Sequence, residues 1–292
     1  MLYDIRLTMD YRYTAASDQV RNILRLLPVD GPEQTVLRRV LKISPAPDLR
    51  RDGVDFFGNL TTTIAWHRPI SEVTYSLHAQ ARRHPVRGGF PIGFDQLEQA
   101  MDDTALDARS PWHFCGPSAR IGLIPEIADF ARSVADPKAT LTDVVEAIGR
   151  AIHRHMTFDA DATDVSTPPE QAFKAQRGVC QDFAQIMVAA LRALGVPAGY
   201  VSGFLRTLPP PGKPRLEGVD AMHAWVMAWA GPGQGWVEYD PTNRQWAGVD
   251  YVTVARGRDY ADAAPLRGAI RTSGGQETGH RVDVVPIPQV AR

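Results

Sequence analysis

From Val179 to Leu194 a single apolar stripe recurs at helical spacing: Val179, Phe183, Ile186, Met187, Ala190, Leu191 and Leu194. Gly195 stands at the natural C-terminal stop, with Pro197 just beyond it. This pattern predicts a helix over residues 180–194. Strand-like runs follow at 198–205, 221–230 and 235–239, and again at 251–255, 267–272 and 282–287. Helices that come first, with strands after them rather than alternating with them, predict an α+β fold with antiparallel sheet.

Two shorter helices are expected upstream. Val144, Val145, Ile148, Ile152 and Met156 keep helical spacing behind a possible cap at Thr140 or Thr142. Thr167-Pro168-Pro169-Glu170 has the order of a second helix start, running to Gln176. The beginning of the chain is different. Residues 2–13 alternate, with Tyr3, Ile5, Leu7 and Met9 on one face, and further strand-like runs lie at 23–28, 35–44, 60–67 and 72–81. Turn signals separate them, which predicts a β-sandwich-like N-terminal domain. Residues 84–118 read as a connection. The expected division is a β-rich domain over 1–120 and a core over 121–292, completed by the C-terminal strands.

The 292 residues suffice for one large domain or two ordinary ones. With 33 acidic and 32 basic side chains, the chain lacks the basic excess of a dedicated nucleic-acid binder. Its start, Met1-Leu2-Tyr3-Asp4-Ile5-Arg6, has no apolar run of signal-peptide length. The longest charge-free stretch, around residues 222–237, is interrupted by Gly, Pro, Gln and His, so no membrane span is expected. Only 2 cysteines are present, too few for a disulfide framework. These features predict a cytoplasmic protein with reduced thiols.

Cys180 stands at the start of the strongest helix. Unpaired backbone N–H groups and the positive end of the helix dipole favour a thiolate there. Gly178 leaves room for an approaching substrate backbone. The alternative is an inert buried thiol. His223 lies in an apolar strand, where a satisfied core histidine is the plain reading, and Asp240 before Pro241 can be a simple turn former. Taken together the two strands change that reading. If the loop of the hairpin is centred between Gly231 and Pro232, Ala230 faces Gly233 and His223 falls opposite Asp240. A carboxylate there would fix the imidazole tautomer and stabilise the imidazolium. The order cysteine, histidine, acid is that of papain-like enzymes. His223 would take the thiol proton, and the Cys180 N–H would serve as one oxyanion donor.

Four blocks carry a resemblance: Gly178-Val179-Cys180-Gln181-Asp182-Phe183-Ala184; Ala198-Gly199-Tyr200-Val201-Ser202-Gly203-Phe204-Leu205; Asp220-Ala221-Met222-His223-Ala224-Trp225; and Asp240-Pro241-Thr242-Asn243. In this order they resemble the bacterial transglutaminase-like family, as do Gly257-Arg258-Asp259-Tyr260 with Pro265 and Gly268, and the β-rich N-terminal part. The resemblance implies a papain-like α+β core with a Cys180, His223, Asp240 triad. It also implies acyl transfer at amide bonds through a thioester, to an amine or to water; the fold does not decide the acceptor, and hydrolysis is slightly favoured. The chain departs from the family at Gln185, where histidine is usual and where the side chain should pack behind the nucleophile. It departs again at Met222, where serine is usual. No metal and no cofactor is expected; the expected partners are a peptide or protein with a reactive amide and an amine acceptor. The competing readings are a non-catalytic peptide-binding module and an assembly scaffold that retains the fold.

Other features are set aside. Cys115 has no helix start after it, so a structural role is expected. His153 and His155 are two apart on a helix and share no face. Gly231-Pro232-Gly233-Gln234 is a hairpin turn rather than a nucleotide loop. Residues 209–214 are read as a loop near the site, Asn59-Leu60-Thr61 as a sequon without secretory context, and Arg82, Arg83, His84 and Arg87 as a solvated basic patch.

Overall fold

The computed structural model describes residues 1–292 apart from 86–88, 103, 208–217, 219, 272–274 and 289–292. The loop expected at 209–214 and Arg87 of the basic patch lie outside the described residues.

The N-terminal domain is organised by one long strand, β1 (Leu2–Leu24). With β2 (Gln34–Ser44), β3 (Leu49–Val54), β4 (Leu60–Ala65) and β5 (Ile70–Arg83) it forms a sheet in the order β2-β5-β1-β4-β3. Tyr3, Ile5 and Leu7 are buried and Arg6 is exposed, as the alternation requires. The start of β1 pairs with β5, and after a register shift its end pairs with β4. The two lobes of the expected sandwich thus share a strand. β3 escapes sequence reading because all six of its residues are exposed and carry no apolar alternation.

The rest of the chain begins with α1 (Leu97–Asp102), α2 (Pro125–Val134) and α3 (Leu141–His155), the last capped by Thr140, whose Oγ1 accepts from the Asp143 N–H at 3.2 Å. α2 is a helix the sequence hides, since only Ile127 and Ala131 are buried in it. Next come β6 (Thr157–Phe158), α4 (Pro169–Ala175), β7 (Arg177–Gly178) and α5 (Cys180–Ala193). The second sheet, in the order β11-β10-β9-β8-β12, contains β8 (Ala198–Leu205), β9 (Ala221–Trp229), β10 (Trp236–Asp240), β11 (Gln245–Trp246) and β12 (Tyr251–Gly257). α5 packs against β8, β9, α2, α3 and α4. Every residue of it from Gln181 to Arg192 is buried, so it is a central helix rather than an amphipathic surface one.

α6 (Tyr260–Ala263) leads to β13 (Leu266–Arg271) and β14 (Gln276–Ile287). These last strands do not complete the core sheet. β14 pairs with β1 from Leu2↔Ile287 to Tyr13↔Gln276, and β13 pairs with the end of β1. An alternating pattern states which side chains face inward, not which sheet the strand joins.

The two sheets are also stitched directly. β12 is the edge of the core sheet, and side-chain amides of the N-terminal domain satisfy its backbone. Thr253 N–H donates to Gln34 Oε1 at 2.9 Å, and Gln34 Nε2 donates to Thr253 O at 2.9 Å. Arg256 N–H donates to Asn59 Oδ1 at 2.7 Å, and Asn59 Nδ2 donates to Arg256 O at 2.6 Å. Each amide thus imitates a neighbouring strand. Asn59 is buried by this bond, which removes the sequon from solvent. Arg83 is likewise buried at the end of β5, so the expected solvated patch does not hold there: the strand's inward alternation carries that side chain into the interface.

Candidate active site

Cys180 is the first residue of α5, with Val179 as the residue before the helix. Asp182 fixes this start. Its Oδ2 accepts from the Val179 N–H at 2.8 Å and from Thr163 Oγ1 at 2.6 Å. Burial raises the Asp182 carboxyl above its ordinary range, against these bonds. A side chain at Gly178 would meet Asp182 Cβ and Cγ at 2.8 Å. The glycine therefore makes room for the capping carboxylate, not for a substrate backbone.

His223 is buried in β9, and its Nε2 lies 2.7 Å from Asp240 Oδ2 at the end of β10. The hairpin register differs from the expected one by two residues. Trp236 pairs with Trp229 and Tyr239 with Val226, so Asp240 lies diagonal to His223. The loop is two residues longer than assumed, both of them on the β10 side: Ala230 N–H donates to Gly235 O at 2.9 Å, with Gly231 at φ 100° and Gly235 at φ 71°. A two-residue slip keeps every side chain on its face, so the contact survives the error.

Asp240 is fully buried and saturated. Oδ2 also accepts from Asn243 Nδ2 and from the Tyr251 hydroxyl, each at 2.7 Å, while Oδ1 accepts from the N–H groups of Thr242 at 2.8 Å and Asn243 at 3.1 Å. Burial alone would raise the Asp240 carboxyl. The hydrogen bond and charge of His223, with the Asn243 and Tyr251 bonds, hold it below the ordinary carboxylate range instead. Burial likewise opposes the charged form of His223, yet the bond to Asp240 and then the neighbouring Cys180 sulfur push the imidazole up to about 10. With Nε2 committed to the carboxylate, Nδ1 is the ring nitrogen left for the thiol. The ring is walled by Trp225 at 6.4 Å and Tyr251 at 6.3 Å between centroids.

Cys180 and His223 open into one cleft of about 380 Å³. Met222 lines it too, so this departure from the family pattern is a change in the cleft wall. Gln185 of α5 is fully buried, and neither Nε2 nor Oε1 has a hydrogen-bond partner among the described residues. Replacing an unpaired buried amide by an apolar group of similar shape removes its desolvation cost. Gln185→Met is therefore expected to raise stability by about 1 kcal/mol, roughly 2–4 °C in Tm, read by thermal denaturation; a lower Tm would count against this account.

Sequence reasoning missed Tyr251, Asn243 as a carboxylate donor, and Gln245, whose Nε2 donates to the Tyr251 hydroxyl at 2.7 Å. Asn243 could have been found three residues after Asp240. Tyr251 carries no local signal, because only the tertiary fold brings β12 to β10. Cys115 donates to Pro111 O at 3.3 Å and its thiol is pushed up by burial. His153 and His155 engage different carbonyls, those of Thr242 and Phe173. Among the described residues no three His, Cys, Asp or Glu side chains are grouped to hold a metal, and no helix is long and apolar enough to cross a membrane.

A mixed fold in which a central helix presents a cysteine beside an antiparallel sheet is the papain-like arrangement. The chain belongs to the bacterial transglutaminase-like family: residues 128–241 match the model of the transglutaminase-like superfamily, and residues 3–82 that of the bacterial transglutaminase-like N-terminal region. An uncharacterised protein of Mycobacterium tuberculosis is 33% identical over 98% of this chain and 93% of its own. A protein-glutamine gamma-glutamyltransferase of Pseudomonas aeruginosa is 29% identical over 64% of this chain but only 29% of its own length. A crystal structure of a candidate cysteine protease from Cytophaga hutchinsonii has the same fold, with a TM-score of 0.77 at 20% identity, covering 100% of this chain and 92% of that one.

Proposed function

We propose that this protein is a cysteine-dependent acyl-transfer enzyme acting on peptide or protein amides. The observation that carries the reading is the buried, saturated Asp240 held 2.7 Å from His223, with the Cys180 sulfur acting on the same ring. Cys180 attacks the amide carbonyl, and the Cys180 N–H at the helix start stabilises the oxyanion. His223 carries the proton to the departing ammonia or amine. Water or an amine then resolves the thioester. Hydrolysis is slightly favoured, because the fold does not select an acceptor and transamidation requires water to be excluded. The Pseudomonas relative supports glutamine amides as donors. A reducing compartment, the cytoplasm, fits two free thiols.

Iodoacetamide labelling tests the nucleophile. Near neutral pH Cys180 is expected to alkylate at least about 100-fold faster than Cys115, as an activated thiolate against a buried thiol. Equal rates would favour the non-catalytic binding module. Ammonia release measured with and without an added primary amine then separates hydrolase from transferase.

A further inference from the structure

The cleft at Cys180 has a wall that the chemistry above does not use. Met9 and Tyr11 of β1 and His280 of β14 reach it from the N-terminal sheet, opposite Tyr200 of β8 and Tyr260 of α6. The Tyr200 and Tyr260 rings meet edge to face at 6.0 Å. Tyr11 rests edge to face on Tyr75 at 5.8 Å, and the Tyr75 hydroxyl in turn accepts from Asn22 Nδ2 at 2.7 Å. Tyr11 is thus held in place by the core of the N-terminal domain.

Three phenol hydroxyls therefore line one cleft, and among the described residues none of Tyr11, Tyr200 and Tyr260 has a hydrogen-bond partner in the protein. None of the three hydroxyls is buried without a partner, so each is open to the cleft and can pair with a group that enters it. Burial raises all three above the ordinary phenol range, Tyr11 to about 12, so each stays neutral and can both donate and accept. The described lining also contains no Asp, Glu, Lys or Arg. A charged side chain entering it would lose water and meet only His223, whose charge is already matched by Asp240, and His280.

We propose that Tyr11, Tyr200 and Tyr260 form an acyl-donor subsite, shared between the two domains, that takes an uncharged peptide segment around the reacting amide. The hydroxyls pair with the peptide N–H and C=O groups, and the rings and the Met9 and Met222 thioethers contact apolar flanking side chains. This assignment rests on the reading of Cys180 as nucleophile. It also gives the N-terminal domain a part in choosing the substrate.

The test uses the full chain carrying Cys180→Ala, so that binding is read without chemistry. Calorimetry compares three peptide amides of equal length in which glutamine is flanked by phenylalanine, by glutamate or by lysine. The phenylalanine-flanked peptide is expected to bind at least about tenfold more tightly than the other two. Adding Tyr11→Phe or Tyr260→Phe removes one hydroxyl and keeps the ring; each is expected to weaken that peptide about three- to tenfold. Equal affinities for the three peptides, no binding of any of them, or no effect of either variant would overturn the assignment. Failure of the nucleophile reading is seen separately, in the iodoacetamide comparison of Cys180 with Cys115.

Discussion

Asp240→Asn is expected to lower turnover of an amide substrate by roughly three to four orders of magnitude while leaving the fold in place. Asp240 accepts five hydrogen bonds, three at Oδ2 and two at Oδ1. An asparagine can keep its oxygen toward the backbone N–H groups of Thr242 and Asn243, and its amide then faces His223. That amide donates, so Nε2 must accept and the ring proton moves to Nδ1. The nitrogen that should take the thiol proton is then already protonated. Alkylation of Cys180 by iodoacetamide is expected to slow toward the rate of an ordinary thiol, without any substrate being present. An unchanged alkylation rate would mean that the carboxylate does not govern the imidazole.

The same substitution has a signature in pH. His223 is raised to about 10 in the folded protein and would titrate near 6.5 in the unfolded chain. Its contribution to stability is therefore fully present below about pH 6.5 and is lost as pH rises through about 10. Asp240 has the opposite sense: lowered on folding, it stabilises above the ordinary carboxylate range, and this is lost as pH falls through its depressed value. Thermal melts of the wild type are expected to fall between pH 7 and pH 10. In Asp240→Asn that slope should be much reduced, because the partner that raises the imidazole most is gone.

What the sequence could reveal depended on how local the cause was. The limits of α5 follow from the stripe ending at Leu194 and the glycine after it, and β8 coincides with the strand-like run at 198–205. The places of Cys180 at the start of α5, His223 in β9 and Asp240 at the end of β10 were legible because each sits in a short segment with its own local pattern. The hairpin register was not, since a loop rich in glycine adopts several lengths at similar cost. The destination of β13 and β14 was not either, because pairing with β1 is a contact across the whole chain. Gly178 shows a third kind of limit. Its neighbour in space is Asp182, and a glycine in a sequence does not state what fills the room it leaves.

Arg192→Met is expected to cost about 3–5 kcal/mol of stability, roughly 10 °C in Tm, although it touches neither the thiol nor the imidazole. Arg192 is buried in the last turn of α5, and its guanidinium ties three separate segments together. Nε donates to Ala198 O at 3.0 Å, Nη1 to Gly116 O and Ser118 Oγ at 3.1 Å each, and Nη2 to Arg258 O at 2.5 Å. Burial lowers its pKa to about 10, so the group stays charged at neutral pH, helped by the charge of Asp259. Methionine matches the stem in length and leaves four acceptors facing an apolar group. Arg192→Lys restores the charge but not the planar fork, and one ammonium cannot serve acceptors spread over three segments. Most of the loss should therefore persist in the lysine variant. Arg258 lies two residues before Tyr260, so releasing its carbonyl also frees the start of α6 on the cleft wall. Peptide binding to Cys180→Ala should weaken when Arg192→Met is added, at temperatures well below the new Tm. Full recovery of Tm with lysine would show that charge alone is needed at this position, and that the geometry of the fork is not what holds α6 against the helix.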